Sequence, residues 1–142
     1  MGGIETTARV LICEDQADLA QTFAALLSLH GHEVRVCHDG RSAIDQALDW
    51  RPTAAIIDIG LPGISGYGVA QFIRELSFGG DVLLIAVTGY ASPADLEMAR
   101  YAGFNWHFSK PAAASLIIDV LQSPSRTALA SGDGVLLSPA RI

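Results

Sequence analysis

The chain has 142 residues, half of them apolar, and a formal net charge of −6. That length suits one domain with a real core. The apolar share excludes disorder throughout, and an acidic balance without any basic cluster argues against a nucleic-acid surface. No apolar run reaches the roughly 18 residues that a membrane span needs. Residues 1–9 lack the basic-then-apolar pattern of a secretory signal, so the expected location is cytoplasmic, with no membrane partner. Cys13 and Cys37 fit no metal spacing and read as reduced core residues.

Arg9-Val10-Leu11-Ile12-Cys13 is an apolar run ending at Glu14-Asp15 and predicts a first strand. From Leu19 to Leu29 apolar residues recur at helical spacing (Leu19, Phe23, Leu26, Leu27), and His30-Gly31 stops the helix. Glu33 to Cys37 alternates, as in a strand with one more exposed face near a sheet edge. Arg41 to Trp50 predicts a helix with Ile44, Ala47 and Leu48 inward, ended by Arg51-Pro52. Ala54-Ala55-Ile56-Ile57 then runs straight into Asp58, before the chain breaks at Gly60, Pro62, Gly63 and Gly66. A short apolar run bounded by turn residues reads as a strand buried on both faces.

Tyr67 to Leu76 predicts a third helix closed by Gly79-Gly80, and Val82 to Val87 a second fully buried strand ending at Thr88-Gly89. Ser92-Pro93-Ala94-Asp95 opens a fourth helix, with a serine cap, proline at the first position and an acid in the first turn. Phe104 to Phe108 predicts a fifth strand, and Ala112 to Leu121 a last helix with an unusually apolar face. Five strands alternating with five helices imply a doubly wound parallel sheet of the α/β class, with right-handed crossovers. The expected organisation is an N-terminal extension over 1–7, one domain over 8–122, and a mostly flexible tail over 123–142. Within that tail only Val135-Leu136-Leu137 is apolar enough to dock on anything.

Polar groups stand at four strand ends: Glu14 and Asp15, Asp58, Thr88 and Lys110. A single one of these reads as a cap or turn former. In a parallel sheet, however, they all lie along one edge, the edge where open α/β sheets bind ligands. Lys110 is the sole lysine among nine basic residues, so arginine covers the routine surface roles and the lysine invites a specific one. Three close carboxylates raise one another's pKa or bind a cation. Hard oxygen ligands with an open position suit Mg2+. A carboxylate nucleophile can take a phosphoryl group to give an acyl phosphate, with a lysine and a hydroxyl neutralising charge.

Glu14-Asp15, Asp58 with Pro62 and Gly66 behind it, Thr88-Gly89 and Lys110-Pro111 together resemble the motifs of the response-regulator receiver domain, the phosphoacceptor module of two-component signalling. The resemblance covers about residues 8 to 122. It implies the flavodoxin-like sheet of strand order 2-1-3-4-5, with Asp58 as the phosphorylated aspartate. It implies Mg2+ held by Glu14, Asp15, Asp58 and the backbone carbonyl of Gly60. Thr88 matches the hydroxyl that moves toward the phosphoryl group, and Lys110 the lysine that contacts one of its oxygens. The Lys110-Pro111 bond resembles one that is cis in the family. Two positions depart from the pattern. Glu14 stands where Asp is commoner, with a longer reach that allows ligation through water. His107 stands where the family's switch residue is usually Tyr or Phe, and alternation should point Trp106 and Phe108 the other way from it.

The implied function is that of a phosphoacceptor served by a histidine kinase or a histidine phosphotransfer protein. Such a module catalyses its own phosphorylation and dephosphorylation and is not otherwise an enzyme. A free-standing regulator without an output domain is the first expectation, and a receiver belonging to a hybrid histidine kinase the alternative. The output surface is expected on the fourth helix, fifth strand and last helix, where Leu116, Ile117, Val120 and Leu121 would contribute to a partner or homodimer contact. Three other readings fit less well. A flavodoxin-type nucleotide binder would want a phosphate loop where Glu14-Asp15-Gln16 repels phosphate. A haloacid-dehalogenase-type phosphatase needs a second Asp where Gly60 stands. A degenerate interaction module would not need every pocket residue type to be present.

Overall fold

Alternating side chains along each strand meet two separate helical layers, and this decides the architecture. The computed structural model describes residues 7–89, 92–111, 114–122 and 134–137. In chain order these form β1 (Arg9–Cys13), α1 (Ala17–Leu29), β2 (Glu33–Cys37), α2 (Gly40–Trp50), β3 (Ala54–Asp58), α3 (Gly66–Glu75), a 3-10 turn (Gly79–Asp81), β4 (Leu83–Thr88), α4 (Pro93–Ala102), β5 (Trp106–Ser109), α5 (Ala114–Gln122) and β6 (Gly134–Leu136). The sheet order is β2-β1-β3-β4-β5-β6. The first five strands are parallel. β6 adds to β5 antiparallel.

Every residue of β3 and β4 is buried, as their unbroken apolar runs require. Leu11, Cys13, Ala55, Ile57, Leu84 and Ala86 face one core, which α2, α3 and α4 cover with small residues such as Ala43, Ala47, Ala70 and Ala99. Their neighbours Val10, Ile12, Ile56, Ile85, Trp106 and Phe108 face the other core, together with Ala20 and Leu27 of α1 and Ile117, Val120 and Leu121 of α5. Helix starts follow sequence chemistry. Asp39 caps α2 by accepting from Ser42 N–H at 2.8 Å. Ser65 caps α3, and Ser92 with Asp95 forms a reciprocal capping box ahead of Pro93. Among the described residues no helix is long and apolar enough to cross a membrane.

Three expectations need correction. The apolar face of α5 is core: Ile117, Val120 and Leu121 are buried and Leu116 is half-buried, so most of that face packs on the sheet rather than awaiting a partner. Leu48 is 51% exposed, because α2 turns Ala43 and Ala47 to the sheet and leaves Leu48 beside that stripe. Residues 134–137 are not a loose tail. Gly134 to Leu136 is a strand, Leu136 packs against the α1/α5 core and Leu137 against the other. The rest of the tail, residues 1–6, Tyr90-Ala91 and the expected start of α5 at Ala112 lie outside the described residues.

Arg74 of α3 ties the far end of the fold together. Its guanidinium donates to the carbonyls of Gly79 (2.6 Å), Val82 (2.6 Å) and Gly103 (2.9 Å and 2.7 Å), and to Asn105 Oδ1 at 2.8 Å. Asn105 Oδ1 in turn accepts from the amide of Leu84, locking the start of β4 to the approach to β5. Arg74→Ala strands these acceptors and should cost about 3 kcal/mol in urea unfolding. Arg74→Lys should recover less than half, since one ammonium cannot replace a planar fork.

Candidate functional site

The parallel register brings the polar strand ends together. Cys13 of β1 pairs with Ile57 of β3, so Glu14 and Asp58 leave their strands side by side. Asp58 pairs with Val87, and Thr88 pairs with Ser109, so Thr88 and Lys110 follow at the next two strand ends. β1 lies between β2 and β3, so the connections leaving β1 and β3 depart to opposite faces and open a crevice between them.

Carboxylate oxygens of Glu14, Asp15 and Asp58 all lie within 4.8 Å of one another. Glu14 and Asp58 are buried, while Asp15 is exposed. Lys110 Nζ sits 2.8 Å from Asp58 Oδ2 and 3.1 Å from Glu14 Oε1. The remaining acceptors are held by backbone: Gly60 N–H donates to Asp58 Oδ1 at 2.9 Å, and Gln16 N–H to Glu14 Oε2 at 3.0 Å. Burial pushes the Glu14 carboxyl above its ordinary pKa and the Asp58 charge adds to this, against the pull of Gln16 N–H and Lys110. Burial alone would lower the Lys110 pKa, but its hydrogen bonds to Asp58 and Glu14 outweigh that and raise it. This lysine is therefore a fixed cation.

Thr88 is buried at the end of β4, and its carbonyl accepts from Lys110 N–H at 2.8 Å. His107 is buried on β5, flanked in the sheet by Ala86 and Val135. Trp106 and Phe108 share the opposite face and stack with centroids 5.9 Å apart, as alternation requires. The Lys110-Pro111 peptide is cis. Gly66 stands directly behind Asp58, where a Cβ would lie 2.6 Å from the Asp58 carbonyl oxygen, so only glycine fits. Glu14, Asp15, Asp58 and Lys110 thus lie in mutual reach at one edge, with Thr88 at the neighbouring strand end, while His107 sits within β5.

Two features were not read from the sequence. His38 Nδ1 donates to the Glu14 carbonyl oxygen at 2.9 Å, tying the end of β2 to the acidic loop. A cavity of about 350 Å³ adjoins Asp58 and is walled by Ile12, Leu19, Phe23, Ile56, Val87 and Pro111. Leu19, one of the residues at helical spacing in α1, is 39% exposed and lines this cavity. The donor set is all hard oxygen, with one exposed carboxylate leaving a solvated side, which fits a small divalent cation such as Mg2+.

The chain matches the family model described as response regulator receiver domain over residues 10–122. It is 31% identical over 114 residues to the polar-differentiation response regulator DivK of Brucella anthropi, covering 80% of this chain and 93% of that protein. In structure it is similar to the chemotaxis response regulator CheY4 of Vibrio cholerae, with a TM-score of 0.77, 26% identity, and 82% and 98% of the two chains covered. It is also similar to the receiver domain of a sensor histidine kinase from Pseudomonas aeruginosa, solved with a magnesium ion in its active-site cleft. There the TM-score is 0.74 and the identity 30%, over 82% and 96% of the two chains. Receiver domains accept a phosphoryl group in two-component signalling. The chain belongs to the response-regulator receiver-domain family.

Proposed function

We propose that Asp58 is the phosphoacceptor of this chain. One observation carries the reading: a buried carboxylate held 2.8 Å from a lysine ammonium, with two further carboxylates within 4.8 Å. A carboxylate oxygen of Asp58 attacks phosphorus, the bond from phosphorus to the donor nitrogen breaks, and an acyl phosphate forms. Lys110 accompanies the incoming phosphoryl oxygens, and the Thr88 hydroxyl approaches them from the neighbouring strand end. Glu14, Asp15, Asp58 and the Gly60 carbonyl would hold Mg2+, which when bound supplies charge neutralisation on the phosphoryl oxygens. The chemistry is self-directed, and the module turns over no other substrate.

The phosphodonor is a histidine kinase or a histidine phosphotransfer protein in the cytoplasm. A stand-alone regulator is the preferred context, since the similarity to DivK spans 93% of that protein. The 30% identity to a kinase-borne receiver supports the second context, a hybrid kinase. Signal leaves by way of Thr88 and His107 toward α4 and β5.

Mg2+ with acetyl phosphate should add one acid-labile phosphoryl group to the parent chain and none to Asp58→Asn, read by intact mass. Equal modification of both would sink the assignment. Lys110→Ala should slow the same reaction roughly 100-fold, the usual cost of losing one preorganised donor.

Mg2+ at a hundred times its Kd should stabilise the parent by about 2.7 kcal/mol through mass action, read in thermal melts. Asp15→Asn should melt higher than the parent without metal and respond less to it. A parent indifferent to Mg2+ would refute a functional acidic pocket.

The raised Glu14 pKa makes a further prediction, on metal-free stability. The folded chain binds this proton more tightly than the unfolded chain, so Glu14 contributes stability at low pH. That contribution is lost as pH rises from the unfolded value, about 4.3, through the raised folded value. Glu14→Gln should flatten this part of the curve in urea titrations, and an unchanged slope would show that Glu14 is not the group responsible.

A further inference from the structure

A five-stranded parallel sheet would end at β5, and a sheet edge is a row of unpaired N–H and C=O groups ready to template another strand. β6 covers that edge. It places Gly134 opposite Phe108, Val135 opposite His107 and Leu136 opposite Trp106. Leu137 N–H adds a 2.7 Å bond to the Asn105 carbonyl. The fit leaves no slack at one point: a Cβ on Gly134 would lie 2.6 Å from Phe108 Cε2. Yet the attachment is short. β6 pairs over three positions, against four for β4–β5 and five for β3–β4. In sequence it follows α5 only after residues 123–133.

The strand that β6 covers is also the strand that ends in the pocket. Two residues beyond Phe108, Lys110 bridges Asp58 and Glu14 through its side chain and binds the Thr88 carbonyl through its amide. A phosphoryl group on Asp58 adds roughly −1.5 to −2 charge where the Lys110 ammonium now rests, so the ammonium must reseat. Phe108, stacked on Trp106 and 1% exposed, faces Gly134 across the pairing, where any side chain on Gly134 would meet its ring. Close-packed contacts of this kind respond to small displacements by switching rather than by stretching.

We propose that β6 is a cover on the β5 edge that phosphorylation of Asp58 loosens, and that the uncovered edge takes an extended apolar strand from a partner by β addition. The inference rests on the phosphoacceptor reading of Asp58. The resident strand defines the chemistry of the occupant: a glycine opposite Phe108, then apolar side chains at the positions of Leu136 and Leu137, which enter the two cores. Main-chain bonds supply affinity and the alternate side chains supply selectivity.

The test uses the full chain with Mg2+ and acetyl phosphate. Hydrogen exchange across 134–137 should accelerate at least tenfold in a sample whose intact mass shows Asp58 phosphorylated. A fluorescent peptide of residues 132–138 should bind the phosphorylated chain at least tenfold more tightly than the unmodified one, by anisotropy. Gly134→Val, whose side chain collides with Phe108, should bind the peptide without any phosphodonor while keeping the parent's far-ultraviolet circular dichroism. Unchanged exchange at 134–137 in fully phosphorylated chain would overturn the inference and leave the phosphoacceptor reading standing. Failure of Asp58 to acquire the group at all would overturn both. Peptide binding that is equal in the two states would overturn the phosphorylation control.

Discussion

The Lys110 ammonium lodged between the Asp58 and Glu14 carboxylates is the interaction on which the site depends. Two buried carboxylates side by side cost several kcal/mol if left uncompensated, because each loses its hydration and repels the other. One cation at 2.8 Å and 3.1 Å offsets much of this, and two backbone N–H groups take the oxygens that Lys110 does not reach. Three carboxylates and one ammonium still leave an excess of negative charge. Burial first, and the Asp58 charge after it, raise the Glu14 pKa, and the excess of negative charge makes the crevice attractive to a divalent cation.

Such a balance is possible only if four strand ends arrive at the right places, and the sheet supplies this through register alone. Parallel pairing fixes Glu14 beside Asp58 and Thr88 beside Ser109 with no dedicated loop structure. Where loops do matter, glycine permits the approach. Gly66 allows the start of α3 to sit against the backbone of Asp58, and Gly40 allows α2 to close on the Ile64 carbonyl. Gly40 N–H donates to the Pro62 carbonyl at 3.2 Å, so the segment that follows Asp58 is braced from a neighbouring helix.

Most of this was legible from the sequence because the strongest signals were local. Unbroken apolar runs marked β3 and β4, and Ser92-Pro93 with Asp95 marked the start of α4. The convergence of Glu14, Asp15, Asp58, Thr88 and Lys110 followed from strict alternation of strands and helices. What was not legible depended on tertiary context. Helical spacing shows that a stripe is apolar but not how far each residue turns inward, so Ala47 is buried as read while Leu48, also read as inward, is 51% exposed and small Ala43 holds the core beside it. α5 was apolar enough to suggest a docking face, yet Ile117 and Val120 are the roof of the β5 core. β6 escaped because four residues, Gly134-Val135-Leu136-Leu137, carry no period of their own. Their order comes from an edge that only the folded sheet creates.

β6 also changes what His107 can do. On a bare edge strand a side chain at this position could swing toward solvent. Here His107 lies between Ala86 on one side and Val135 on the other, and it is 1% exposed. The aromatic bulk of β5, Trp106 and Phe108, is turned to the α1/α5 layer, so it does not share the space around His107. A polar ring in a covered site cannot move without disturbing the two strands that flank it. One of those strands, β4, ends at Thr88, and the other, β6, is the shortest pairing of the described sheet. Position 107 therefore lies between a strand paired over four positions and one paired over three.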